Sequence, residues 1–270
     1  MPISNQLSEA KRYNLRSKYP FNSIHPRGSL SFAKEIQELQ SSLGFAEHEC
    51  DGKFGYQTYC AIRDTFEEHV ILGGVQIEMP KSEAYRLISF DEPDGLDLHK
   101  FGNFSARKSP VSAVCLHWGG LDARHCFNVF SSDSRDVSSH FLIGVEDGVC
   151  VVYQVLDLKH KAWHAGKVND WTIGIDICQQ PTLRWKKHYN LPTKMNPTQR
   201  GEREVLTLDP VLASGANAFI KDLMSALQLE VKLPMGHDVQ DVTDCTLFGH
   251  HHVSKRKWDV ACWWEELTNG

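Results

Sequence analysis

From residue 111 the chain alternates between short, nearly continuous apolar runs and amphipathic stretches. VSAVCLHWGG (111–120) reads as a buried strand that ends in His117 and a glycine pair. SHFLIGVEDGVCVVYQV (139–155) reads as two strands about the turn Glu146-Asp147-Gly148, a hairpin signal. WTIGIDICQ (171–179) is a further strand. In PVLASGANAFIKDLMSALQL (210–229) the apolar residues recur at helical spacing, Val211, Phe219, Leu223 and Leu227 among them. Strands and helices alternate around one hairpin, which predicts an α/β domain: a mixed central β-sheet flanked by helices over residues 109–270.

The N-terminal part has a different rhythm. SLSFAKEIQELQSSLG (29–44) spaces Phe32, Ile36, Leu39 and Leu43 along one helix face, with Gly44 closing it. DGKFG (51–55) is a tight turn, and Thr58 caps a second helix carrying Ile62, Phe66 and Val70. These elements predict a small helical unit over 28–72, marginal in size for a core of its own. Residues 1–27 carry Lys11, Arg12, Arg16, Lys18 and Arg27 against Glu9 and read as a basic, loosely ordered arm. GGVQIEMPKSE and DEPDGLDLHKFGNF, rich in Gly, Pro and Asp, read as linker and lead-in loops within 73–108. WKKHYNLPTKMNPTQRGERE (185–204) reads as a long exposed polar loop.

Composition narrows the possibilities. The 270 residues, 41% of them hydrophobic, suffice for one full domain and a small one. A net charge of −5 gives no reason to expect a nucleic-acid partner. No apolar run is long enough for membrane insertion, and the N-terminus lacks the apolar stretch of a signal peptide, so synthesis in a cytoplasm is expected. The eight cysteines form no CxxC pair and are expected as free, mostly buried thiols.

Candidate chemistry gathers around GHHHVSKRKWDVACWW (249–264) and the strand-end His117. A catalytic zinc takes three protein ligands from His, Cys, Asp or Glu and keeps one position open. His117, one histidine of 250–252, and Asp259 would supply that set. Spacing alone does not choose among the histidines: in an extended segment His250 and His252 share a side and His251 faces away.

Five segments in order, LHWGG (116–120), VSSHFLI (137–143), AWHAG (162–166), TIGID (172–176) and GHHHVS…KWD (249–259), resemble the zinc-dependent N-acetylmuramoyl-L-alanine amidases, a family that includes phage endolysins and shares the fold of peptidoglycan-recognition proteins. In the N-terminal part, Leu39-Gln40, Leu43-Gly44 and Asp51-Gly52-x-Phe54-Gly55-x-x-Thr58 resemble the three-helix peptidoglycan-binding domain of cell-wall hydrolases. The resemblance implies one Zn2+ held by His117, His250 and Asp259, with Cys262 the rival third ligand. It also implies that His251 and His252 do not bind the ion.

It further implies that Lys257 stabilises the oxyanion, worth about 3 kcal/mol, and that Asp176, where many relatives carry a glutamate, serves as general base. His164 and Trp163 are implied to contact substrate, with Trp171 flanking the groove. His140 is expected to hydrogen-bond inside the sheet, and Trp263 and Trp264 to lie in the core. Where some branches place a tyrosine, this chain has Ser139. The implied activity cuts the amide between N-acetylmuramic acid and L-alanine in bacterial peptidoglycan. The implied setting is a monomeric endolysin, made in a host cytoplasm and acting on the wall after the membrane is opened. Three other readings are a recognition protein without metal, a cytosolic recycling amidase, and a zinc peptidase cutting within the stem.

Overall fold

The computed structural model describes residues 3–17, 25–55, 57–58, 61, 68–92, 94–132, 134–198 and 200–268. The chain divides into two compact units, 1–67 and 68–270.

In the smaller unit, α1 (Ile3–Asn14) and α2 (Leu30–Ser42) pack through Leu7, Ala10 and Ala33. Ser29 caps α2, its Oγ accepting from the Phe32 amide at 3.0 Å. The DGKFG turn is tied down from both helices. Asn14 donates to the Gly52 carbonyl at 2.9 Å and accepts from the Phe54 amide at 2.7 Å. Gln40 accepts from the Gly52 amide at 2.9 Å and donates to Thr58 Oγ1 at 3.0 Å. Phe54 is thereby buried beneath the turn. The expected basic arm is thus corrected over 3–14. Its apolar Leu7 and Ala10 give a helix a face to bury, while Lys11 and Arg12 lie on the outer face. Ile62 and Phe66, expected on the second helix, lie outside the described residues, and Val70 belongs to a strand of the larger unit.

The larger unit has a six-stranded mixed sheet. Its strands are β3 (Arg86–Ser89), β5 (Ala113–Trp118), β6 (Phe141–Glu146), β7 (Val149–Gln154), β9 (Thr172–Ile177) and β12 (Leu247–Gly249), in the order β12-β5-β9-β6-β7-β3. Only β6 and β7 run antiparallel, as the hairpin whose turn holds Asp147 and Gly148 at φ 51° and 79°.

Alternation along the strands sorts their side chains. Val114, Leu116, Ile173, Ile175 and Ile177 face α5 (Pro210–Ala226), which buries Leu212, Phe219 and Leu223 against them. Each such side chain contributes about 1.5–3 kcal/mol of transfer free energy. Trp263 is fully buried in the same layer, donating from Nε1 to the Leu206 carbonyl at 2.9 Å. Trp264 is buried with it and opens α6 (Trp264–Thr268). The opposite face carries α3 (Ala123–Phe130), with Ala123, Cys126 and Phe130 packed on Leu142, Val151 and Tyr153.

The stretch 73–108 differs from its reading as loops. It contains β3, β2 (Val75–Glu78), paired with β1 (His69–Leu72), and β4 (Phe104–Ala106), paired with β8 (His160–Ala162), all inside the larger unit. The Gly73–Gly74 turn is held by Asp157, whose two carboxylate oxygens accept from the two glycine amides at 2.8 Å each. The segment 185–204 likewise carries α4 (Lys186–Tyr189) and β10 (Thr193–Met195), the latter paired with β11 (Glu204–Leu206). Seven of the cysteines are described; all are free, and all but the half-exposed Cys245 are buried. No helix among the described residues is long and apolar enough to cross a membrane.

Candidate functional site

Three adjacent parallel strands end together. Asp176 lies opposite His117 in the β5–β9 ladder, and Gly249 lies opposite Leu116 in the β12–β5 ladder, so His250 follows β12 at the level of His117. The alternation that sends Leu116 and Ile175 into the core turns His117 and Asp176 to the other face. Carboxyl ends of parallel strands are where open α/β sheets collect ligand-binding groups. Together with Asp259, these residues line a cleft of about 250 Å³.

His117, His250 and Asp259 meet at its floor. The Nδ1 atoms of His117 and His250 are 3.2 Å apart. Asp259 Oδ2 lies 3.4 Å from the first and 3.2 Å from the second. Ligands about 2.0–2.1 Å from a tetrahedral zinc are separated by about 3.3 Å, so the three donor atoms fit around one such ion. Burial opposes ionisation of Asp259, but its hydrogen bonds to the two imidazoles outweigh that and hold the carboxyl well below the usual carboxylate range. Burial keeps His250 below the ordinary histidine value, which favours the neutral, ligating form.

A second group, Cys115, His117 and His164, is also close enough to share an ion. Cys115 is fully buried and burial pushes its thiol up, against the thiolate that a metal requires. Cys262, the rival ligand, packs in the core layer beneath α5, and burial pushes its thiol to about 12.

The three consecutive histidines separate because residues 250–252 form a single 3-10 turn rather than an extended segment. His251 is fully buried and donates from Nδ1 to the Asp259 carbonyl at 2.8 Å, tying the two ends of the loop together. His252 accepts from the Gly249 amide at 3.0 Å and donates to the Gly236 carbonyl at 2.9 Å. Burial lowers His251 to about 2 and His252 to about 4, so both are neutral. Gly249 is needed here: a Cβ would come within 2.5 Å of His251 Nδ1. Val260, next to Asp259, sits at φ 44°, a costly conformation for a β-branched residue. From outside, the Arg200 guanidinium clasps the loop, donating to the carbonyls of His251, Ser254 and His237 at 2.9, 3.1 and 2.6 Å.

Asp176 is buried at the cleft wall, and burial raises its carboxyl above the ordinary value. Lys257 lines the rim and is itself exposed. Trp163 and His164 form part of the opposite wall, with Val129, Phe130 and Val137. Trp163 donates from Nε1 to Ser105 Oγ at 3.1 Å. Trp171 does not flank the cleft; it packs against Phe248 in a separate apolar cluster. His140 is internal, its Nδ1 accepting from the Gly174 amide at 3.0 Å and its Nε2 donating to the His160 carbonyl at 3.0 Å. Ser139 Oγ donates to the Phe141 carbonyl at 3.0 Å.

The roles of Arg200 and Asp157 have no signal in the sequence, since each acts across a long chain separation. For the Gly73–Gly74 hairpin a signal is present: two glycines between Val70-Ile71-Leu72 and the alternating Val75-Gln76-Ile77.

The family described as N-acetylmuramoyl-L-alanine amidase matches residues 107–261. A stretch of 74 residues is 35% identical to N-acetylmuramoyl-L-alanine amidase A of Achromobacter lyticus, covering 27% of this chain and 41% of that protein. The chain thus spans about two-fifths of that curated relative. Among solved structures, it is similar to the catalytic domain of XlyA, with 18% identity, coverage of 67% of this chain and 96% of that one, and a TM-score of 0.40. It is also similar to a mutant endolysin from Bacillus subtilis, with 18% identity, coverage of 69% and 98%, and a TM-score of 0.42.

Proposed function

Through residues 107–261 this chain belongs to the N-acetylmuramoyl-L-alanine amidase family, and on that premise we propose that it hydrolyses the amide between N-acetylmuramic acid and L-alanine of peptidoglycan, using one zinc ion. The observation that supports this most is the spacing of His117 Nδ1, His250 Nδ1 and Asp259 Oδ2, 3.2–3.4 Å from one another at the floor of the cleft. Zinc bound there supplies a Lewis acid for the amide carbonyl and acidifies water.

The chain's own residues do the rest. Two neutral imidazoles and one carboxylate leave the ion with net positive charge. Asp176, opposite His117 in the ladder, takes the proton from the attacking water; its raised pKa brings it nearer to the value a general base needs. Lys257, at the rim, offers a cation to the developing oxyanion. The apolar wall of Val129, Phe130 and Trp163 seats the stem peptide and the muramyl ring.

The smaller unit is the wall tether in this reading, supported by its DGKFG turn, which Asn14 and Gln40 hold in place. Tethering raises the substrate concentration at the cleft. A wall-tethered amidase suits a phage endolysin that lyses its host, and we assign the chain that role.

Metal content and activity measured on the same samples test the centre. The wild type is expected to hold one zinc per chain and to solubilise stem peptides from sacculi, and to lose both on chelation. His250→Ala is expected to hold no zinc, with activity lowered by at least the 10²–10⁴ range typical of a lost catalytic group. A wild-type chain that cleaves sacculi at full rate without metal contradicts the proposal.

A further inference from the structure

His117 has a second nitrogen, and it is not idle. Its Nε2 lies 3.0 Å from Nδ1 of His164, the rings meeting nearly perpendicular at 89°. His164 Nε2 in turn lies 3.2 Å from Thr172 Oγ1. The protons along this row follow from the hydroxyl at its end. Thr172 Oγ1 donates its single proton to the Val168 carbonyl at 2.8 Å, so toward His164 it offers only a lone pair. His164 therefore carries its proton on Nε2 and presents Nδ1 as an acceptor. That acceptor requires a proton on His117 Nε2, so Nδ1, which contacts Asp259 Oδ2 at 3.4 Å and gives it a hydrogen bond when no metal is bound, is the nitrogen left to offer a lone pair to an ion.

The position of the His164 ring is built in. The Asn169 side chain accepts from the amides of His164 and Ala165 at 3.3 and 2.6 Å. Ser138 Oγ accepts from the Trp163 amide at 2.8 Å. The ring lies on Gly174, where a Cβ would come within 2.8 Å of it.

We infer that His164 is a positioning residue which, backed by Thr172, fixes the tautomer and ring orientation of His117 for metal binding, rather than a substrate contact. The inference rests on the zinc reading above. Second-layer partners of metal-bound histidines are worth about 10–100-fold in metal affinity.

The test uses the full chain and zinc itself, competed against a chromophoric chelator, with the visible spectrum of the cobalt(II)-substituted protein as a second readout. His164→Ala is expected to weaken zinc binding by about 10–100-fold and to shift the cobalt ligand-field bands. His164→Asn, whose Oδ1 takes the place of Nδ1 as an acceptor, is expected to recover most of the affinity. Thr172→Val, which keeps both rings, is expected to weaken binding in the same direction by a smaller factor. If the wild type binds zinc while His164→Ala and Thr172→Val bind it equally well with unshifted cobalt bands, the inference is overturned and the zinc reading stands. A raised KM in His164→Ala with zinc affinity unchanged would restore the substrate role. A wild type that binds no zinc overturns the zinc reading and this inference with it.

Discussion

At the scale of single residues, the site divides into what residue type reveals and what backbone geometry decides. The HHH run raises the expectation of a metal centre, and the choice among its members depends on whether 250–252 is extended or helical. One 3-10 turn sends His250 to the cleft and leaves His251 and His252 bonded to the backbone. Asp259 and His117 were legible from residue type and from where a strand ends. His164 was legible as a site residue, but its contact with His117 spans 47 positions and no local pattern encodes it. Asp176 is the most exposed claim at this scale, because its carboxylate has one methylene less reach than the glutamate of many relatives. Asp176→Asn keeps the shape and removes the base; kcat on a muramyl peptide is expected to fall by about 10²–10⁴-fold with zinc content unchanged. Zinc loss in that variant would instead make Asp176 a support for the ligands.

At the scale of elements, the alternating apolar runs made β5, β6, β7 and β9 readable, and the continuous helical period made α5 readable. The ladder register was not readable, and it is the register that sets His250, His117 and Asp176 side by side. The strands at 75–106 carry little strand signal because they are short, mix apolar with polar residues and lie among Gly, Pro and Asp residues, whose turn signals outweigh them. This edge of the unit also holds a pH-sensitive group. Glu68, just before β1, has a buried Oε2 with no hydrogen-bond partner among the described residues, and burial raises its carboxyl to about 7. A carboxyl whose pKa is higher folded than unfolded stabilises the fold fully below the unfolded value near 4.5, and that contribution is lost as pH rises through about 7. Glu68→Gln is therefore expected to leave stability unchanged near pH 4 and to raise it at pH 8 by about 1–2 kcal/mol, after solvent screening of a half-exposed group. Urea unfolding at the two pH values measures this, and an equal effect at both would refute it.

At the scale of the whole molecule, the sequence reading ends the small unit at 72 and opens the α/β domain at 109 after a linker, whereas the contact boundary falls at 67/68 and 68–108 belongs to the larger unit. In the small unit the DGKFG turn and α2 were legible, while α1 was obscured by the basic charge around it. If the small unit is the tether, deleting residues 1–67 is expected to abolish sedimentation with sacculi while hydrolysis of a soluble muramyl peptide stays within about twofold, since tethering acts on local concentration and not on the cleft. Unchanged sedimentation would contradict a tethering role for the small unit. The bond that is cut is read directly by mass spectrometry of digested sacculi. Stem peptides with a free L-alanine amino terminus beside intact glycan strands, lost on adding a zinc chelator, are the expected products. Fragments cut within the stem peptide, or within the glycan, would contradict the proposed amidase activity.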